Sequence, residues 1–172
     1  LNNKYQALFN TETQLYLIDR NGKNVDGFPK KLPSHTSLGH SLFNYNNNKR
    51  YRIIIIGSNN NIYNLDTKGK EVKGWKYRKQ QNRIIASARH FKVNSKDYIL
   101  QETANSTTKL LAINGTERVS YESKATFNGS PLQIDNLGTL YGITSKGNLW
   151  RGTINGNATE LSIPEINNHS LF

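Results

Sequence analysis

The stretch at 15–28, "LYLIDRNGKNVDGF", is nearly repeated 47 residues later at 62–75 as "IYNLDTKGKEVKGW". Aligning the two places Tyr16 on Tyr63, Asp19 on Asp66, Gly22 on Gly69, Val25 on Val72, Gly27 on Gly74 and Phe28 on Trp75. A weaker third copy, "LLAINGTERVSY" at 110–121, puts Leu111 in the tyrosine position, and a fourth, "LWRGTINGNATEL" at 149–161, puts Trp150 there. A second series keeps step with the first. "HSLFNYNNNKRYRIIII" at 40–56 matches "RHFKVNSKDYIL" at 89–100 and "SPLQIDNLGTLYGI" at 130–143, anchored on Phe43, Phe91 and Leu132. The closing "NHSLF" at 168–172 sets Phe172 in the same position.

Each repeat has room for four short strands. In the second, "SLFNY" (41–45), "YRIIII" (51–56), "NIYNLD" (61–66) and "EVKGWKY" (71–77) are separated by "NNNK", "SNN" and "TKG". These breaks are turn chemistry rather than linker chemistry. The Asp-x-x-Gly of "DTKG" suits a type I turn followed by glycine at positive φ. The Asn-Gly pairs at 114–115 and 155–156 suit two-residue hairpin turns. The run Ile53 to Ile56, apolar at every position, reads as a strand buried on both faces. No helix is expected, because the best candidate, 75–91, has almost no apolar stripe between Trp75 and Ile84.

Tandem four-stranded units of about 40–48 residues without helices are the signature of propeller blades. The predicted fold is therefore all-β: a β-propeller of about four tandem four-stranded antiparallel blades, with an ordinary sandwich or barrel as the rival. The whole of 1–172 is expected to be one propeller domain or a propeller fragment. Its approximate blades are 1–38, 39–85, 86–128 and 129–165, with 166–172 the first strand of a further or closing blade. The chain opens on the second and third strands of a blade and closes on a first strand. Either that last strand completes a small closed ring, or the chain is an arc of a larger propeller, cut at its amino terminus. An arc would associate with itself or with the rest of the larger propeller.

The 172 residues are 35% hydrophobic and 10% aromatic, too apolar and aromatic for a disordered chain. The 24 asparagines cluster where turns are expected, as at 46–48 and 59–61. With no cysteine, a disulfide framework, a thiolate nucleophile and a zinc–thiolate site are all excluded. No apolar run approaches the roughly 20 residues of a membrane-spanning helix. The net charge of +11 is concentrated: 49–96 holds 13 Lys/Arg against Asp66 and Glu71, leaving 10 basic and 10 acidic residues elsewhere.

With these motifs placed, the chain resembles an uncharacterised family of bacterial cell-envelope β-propeller repeat proteins. The shared phrasing is an aromatic-aliphatic strand ending in Asp, a "DxxGk.v.G[FW]" turn and an "HF.V..KDYI" segment, here at 15–28, 62–75 and 90–99. The resemblance covers nearly all of the chain and implies an extracytoplasmic location in the envelope or periplasm. The blades are also similar to quinoprotein-like and FG-GAP-like blades. FG-GAP loops bind calcium through several carboxylates, whereas "NYNNNKRY" at 44–51 offers Asn44, Asn46 and Asn48 beside Lys49 and Arg50, a poor calcium site. No calcium, quinone or other cofactor is expected.

Candidate chemistry is thin. Asp19 and Asp66 recur at strand ends ahead of glycine, where turn-starting aspartates belong. Of His35, His40, His90 and His169, which would need to converge to hold a metal, His40 and His169 share a position in the repeats while His90 is shifted by two, so a shared metal site is not expected. Glu102, Glu117, Glu122, Glu160 and Glu165 are scattered singly, without the converging pair a glycosidase uses. The remaining lead is "KGWKYRKQQNR" at 73–83, which interleaves Trp75 and Tyr77 with Lys73, Lys76, Arg78, Lys79 and Arg83. Cations neutralise phosphates or carboxylates, and aromatic rings stack on bases or sugars. On the structural side, Trp75 matches Phe28 and would pack in the core, leaving the cations as a solvated edge that discourages strand pairing. Three functions follow: a non-enzymatic scaffold binding an unknown protein or other macromolecule in the envelope, a module for an anionic polymer or acidic glycan using 49–96, and a carbohydrate- or quinone-related enzyme. The candidate binding residues are Lys73, Lys76, Tyr77, Arg78, Lys79 and Arg83.

Overall fold

A computed structural model describes residues 5–104, 107–121 and 125–163. Among the described residues there is no helix, and so none long and apolar enough to cross a membrane. The chain divides into two compact units, Leu1–Arg83 and Ile84–Phe172. In the first, β1 (Gln6–Asn10), β2 (Gln14–Asp19) and β3 (Lys30–Lys31) form one antiparallel meander. The strands β4 (Ser41–Phe43), β5 (Arg52–Ile56) and β6 (Ile62–Leu65) form another. The second unit contains β7 (Arg89–Val93), β8 (Lys96–Glu102), β9 (Thr108–Leu111) and β10 (Glu117–Tyr121) in one sheet. Its other sheet contains β11 (Gln133–Ile134), β12 (Leu140–Ile143), β13 (Leu149–Gly152) and β14 (Ala158–Leu161). The strand expected in "NHSLF" lies outside the described residues.

The repeated sequence makes a repeated set of hydrogen bonds. The Asp19 N–H donates to the Lys23 carbonyl and the Gly22 N–H to the Asp19 carbonyl; Asp66 with Lys70, and Gly69 with Asp66, do the same. Each aspartate Oδ1 also accepts two backbone N–H groups, those of Asn21 and Lys23 in one copy and of Lys68 and Lys70 in the other. The Val25 N–H reaches the Leu17 carbonyl as that of Val72 reaches Asn64. Bond by bond, the 47-residue offset holds.

This hairpin, a type I turn followed by a residue at positive φ, recurs with the same two backbone bonds at 57, 112, 135, 144 and 153. The positive-φ position is taken by Gly22, Asn60, Gly69, Gly115, Gly138, Gly147 and Gly156, with φ between 63° and 90°. The Asn-Gly pairs at 114–115 and 155–156 therefore build three-residue turns rather than the expected two-residue ones. Asn114 and Asn155 keep negative φ, and only the glycine enters the left-handed region. The two-residue turn occurs instead at Asn94–Ser95, both at positive φ, between the paired residues Val93 and Lys96.

These turns also correct the repeat alignment. In β9 the slot of Tyr16, Tyr63 and Trp150, three residues before the turn, is occupied by Lys109 and not Leu111. A shift of two residues returns every side chain to the same face, so polarity patterns do not distinguish the registers. Phe43 and Phe91 do share a rung, opposite Arg52 and Tyr98, whereas Leu132 precedes β11.

Burial follows the alternation of the strands. In the first unit Leu15, Leu32, Ile53, Ile55 and Leu65 pack together, flanked by Leu8, Phe28 and Tyr63. Ile53 to Ile56 are each 1–4% exposed, so β5 is buried on both faces as expected. In the second unit Val93, Tyr98, Leu100, Leu110, Tyr121, Leu132, Leu140 and Trp150 form the core. Trp150 meets Tyr121 and Phe127 edge-on at 5.4 and 5.3 Å between ring centres. The Tyr121 hydroxyl donates to the Thr153 carbonyl, and burial, helped by Tyr98, pushes its pKa up to about 12.

Gly152 makes room for that indole. A Cβ there would stand 2.4 Å from Trp150 Cη2, and the two flanking rings prevent retreat. Gly152→Ala is therefore expected to destabilise the second unit by about 1–3 kcal/mol through overpacking, measured by chemical denaturation followed by far-UV circular dichroism. Unchanged stability would mean that the indole is free to shift.

Candidate functional site

Residues 73–83 leave the sheet because of one turn and one side chain. After the Leu65–Glu71 bridge, the Trp75 N–H donates back to the Val72 carbonyl, with Gly74 at φ 81°. The first unit's other sheet turns identically at Val25–Phe28, with Gly27 at φ 80°. There the chain returns, and Lys30 and Lys31 pair with Leu15 and Gln14 as β3. In the second copy it does not return. The Trp75 indole N–H donates to the Ile62 carbonyl at 2.7 Å, satisfying with a side chain an acceptor that a fourth strand would take. The strand expected at 71–77 is thus reduced to a single bridge.

Beyond Trp75, residues 76–83 belong to no strand. Lys76, Arg78 and Lys79 are exposed, while Trp75 and Tyr77 are half-buried and stacked at 6.5 Å with a 22° interplanar angle. Lys73 and Arg83 are exposed as well. The Gln80 side chain donates to the Arg78 carbonyl at 2.7 Å, and Asn60 Nδ2 donates to the Gln81 carbonyl at 3.0 Å. Residues 73–83 carry five cations and no acid. Among the described residues none of the five is in an ion pair, unlike Arg89 with Glu102 at 3.1 Å or Lys109 with Glu117 at 2.6 Å.

Asn60 is the residue that sequence reasoning missed. It stands where six other hairpins have glycine, and a side chain at this left-handed position is what reaches Gln81. Aligning the hairpins would have marked Asn60 as the one non-glycine at this position, but not its bond to Gln81.

The other candidates have structural partners. Asp19 and Asp66 cap their turns, as expected. His40 N–H and Nδ1 both lie 3.0 Å from Asn10 Oδ1, while Asn10 Nδ2 donates to the Leu38 carbonyl, tying β1 to the segment that leads into β4. His90 Nε2 contacts Asp97 Oδ1 at 2.8 Å, with Lys92 at 3.5 Å from the same oxygen. The His35 carbonyl accepts from Ser58. Glu160 accepts from Asn148 at 2.8 Å. In the loop at 44–51, Asn44 and Asn48 Oδ1 accept the N–H groups of Asn48 and Arg50, so their oxygens build the turn. His169, Glu122 and Glu165 lie outside the described residues.

No protein-family model matches the sequence, and no curated protein matches it. Solved structures do. BamB from Moraxella catarrhalis matches with a TM-score of 0.58 and 18% identity over 91% of this chain and 50% of its own. A protein of unknown function from Bacteroides caccae matches with a TM-score of 0.53 and 14% identity over 91% of this chain and 58% of its own. The fold is a β-propeller built of three- and four-stranded antiparallel blades. The chain spans about half the length of the structures it matches.

Two variants test what holds 73–83. Trp75→Phe keeps a ring but leaves the Ile62 carbonyl without its donor, an expected loss of about 1 kcal/mol. Asn60→Gly keeps the turn and removes the bond to Gln81, so hydrogen exchange should quicken at 78–83 and stay unchanged in β5; equal protection in both proteins would refute the pinning. Burial of His40 lowers its pKa below the ordinary imidazole value of 6.5. Below that value the unfolded chain takes up a proton that the folded state resists. The stability held above pH 6.5 is therefore lost as the pH falls toward the lower folded pKa. His40→Gln should remove that component of the slope in denaturation between pH 5 and 8.

Proposed function

We propose that this chain is a non-enzymatic β-propeller scaffold that binds another macromolecule in the bacterial cell envelope, with 73–83 as the contact surface. The observation that carries this reading is the set of five exposed cations on a segment that no strand needs. Among the described residues, Lys73, Lys76, Arg78, Lys79 and Arg83 pair with no carboxylate, and they do not guard a strand edge, since the Trp75 indole covers the edge of β6 at Ile62. Uncompensated charge of one sign concentrates counter-charged partners and speeds their encounter. The envelope location rests on the resemblance of the repeats. The propeller fold is consistent with a binding role and does not by itself assign one.

A photo-crosslinking residue placed at the exposed Gln81 position tests the reading. Envelope extract should give a discrete crosslinked product that disappears when Lys76, Arg78 and Lys79 are reversed to Glu. The same probe at Thr159, exposed on β14, should give none. Identical labelling from both positions, or none from 81, would overturn the assignment of the surface.

A further inference from the structure

Resting on the reading of 73–83 as a contact surface, we infer that its partner is a linear acidic polysaccharide, a polymer carrying carboxylates along a chain of sugar rings. The first argument is the shape of the charge. Burial alternates over 75–78: Trp75 and Tyr77 are half-buried while Lys76 and Arg78 are exposed, as when successive side chains point to opposite sides. Lys76 and Arg78, alternate residues, then lie on one side roughly 7 Å apart, and Lys73, Lys79 and Arg83 continue the charge on either flank. A row of cations neutralises a row of anions; a compact anion would need them to converge.

The second argument is rigidity without structural duty. The segment is held at its start by the bond from the Trp75 indole to the Ile62 carbonyl, and near its end by the bond from Asn60 to the Gln81 carbonyl. Fixing the backbone in advance reduces the ordering cost of binding. The cations contribute nothing to that anchoring, because both pins are neutral.

The third argument selects among polyanions. Exposed large apolar side chains occur at Tyr5, Phe9, Leu42, Ile85, Ile113, Leu137 and Leu161, and none lies within 73–83. The segment thus lacks the apolar anchor around which protein interfaces are organised, and the apolar face that an interfacial membrane segment buries. Nucleic-acid readers of single strands present rings on which bases stack. Here Trp75 and Tyr77 are half-buried and stacked on each other, with the indole N–H already engaged. What remains outward is a line of cations beside partly exposed ring surface. That combination fits a hydrophilic polymer whose carboxylates meet the cations and whose binding needs no free ring to stack on.

The test is binding of the full chain to labelled polygalacturonate, with neutral dextran and a single-stranded DNA oligomer as comparators. Polygalacturonate should bind, and its affinity should fall steeply between 50 and 200 mM salt. Reversing Lys76, Arg78 and Lys79 to Glu should weaken it at least about tenfold and flatten the log–log salt slope by roughly two, as loss of three ionic contacts requires. A control with Lys23, Lys31 and Lys146 reversed, identical in net charge, should stay within about twofold of wild type. If the reversed protein loses its far-UV spectrum, the triple Gln variant takes its place. Equal losses in both triple variants, dextran or DNA binding as tightly as polygalacturonate, or no polygalacturonate binding would each overturn the inference. A crosslink at 81 that persists while polygalacturonate fails would remove the polysaccharide and leave the contact surface standing; failure of both removes both.

Discussion

The structure depends on a hairpin closed by two backbone hydrogen bonds and one residue at positive φ. Seven such hairpins occur among the described residues, six with glycine and one with asparagine at the left-handed position. The type I turn with its bulge carries the twist that antiparallel strands need. It also sets register, because the closing pair decides which residues face each other along the ladder. Aspartate at the first position adds a carboxylate that accepts two N–H groups of the turn, as at Asp19, Asp66 and Asp135. At Asp135 these bonds, that from Thr139 foremost, hold the carboxyl below its usual pKa. Turn and cap together explain why the same short phrase recurs down the chain: it is the local instruction for starting the return strand.

Register then decides what is buried. With the turns in place, Ile53 stands opposite Leu65, Ile99 opposite Leu111 and Leu140 opposite Gly152, the same rung in three sheets. Burying each large aliphatic side chain is worth about 1.5–3 kcal/mol, so a register error would expose an entire face. The three sheets fill the rung in two ways. Gly152 gives up its side chain to the indole of Trp150, whereas Leu65 and Leu111 fill the space themselves. This local exchange of volume is the kind of detail that a repeat tolerates and a repeat alignment obscures.

The cationic segment grows out of the same logic. Phe28 and Trp75 occupy one position in the repeat, yet the chain returns to the sheet after the first and leaves it after the second. The difference is an indole N–H. Phenylalanine has no donor, and the Leu15 end of β2 is paired by Lys30 and Lys31; tryptophan supplies a donor and occupies the Ile62 carbonyl directly. The released residues then display their charge. Asn60, at a turn where glycine is the rule, holds them near β6. The proposed contact surface at 73–83 lies where the blade pattern is broken by side chains that fulfil backbone duties.

Much of this was readable from the residues. The repeat spacing, the absence of a helical stripe, the turn chemistry of Asp-x-x-Gly and the doubly buried run at 53–56 depend on local preference and period, and they determined the blades without reference to distant contacts. The tertiary structure alone decided three things: the two-residue correction that puts Lys109 in the slot assigned to Leu111, the replacement of a strand at 71–77 by an indole bond, and the role of Asn60. The reason is common to all three. Side-chain alternation repeats every two residues and is blind to shifts of two, and a hydrogen bond from a side chain to a backbone carbonyl many residues away leaves no mark on local pattern. Such choices are settled by which acceptor remains open once the neighbouring strands are laid down.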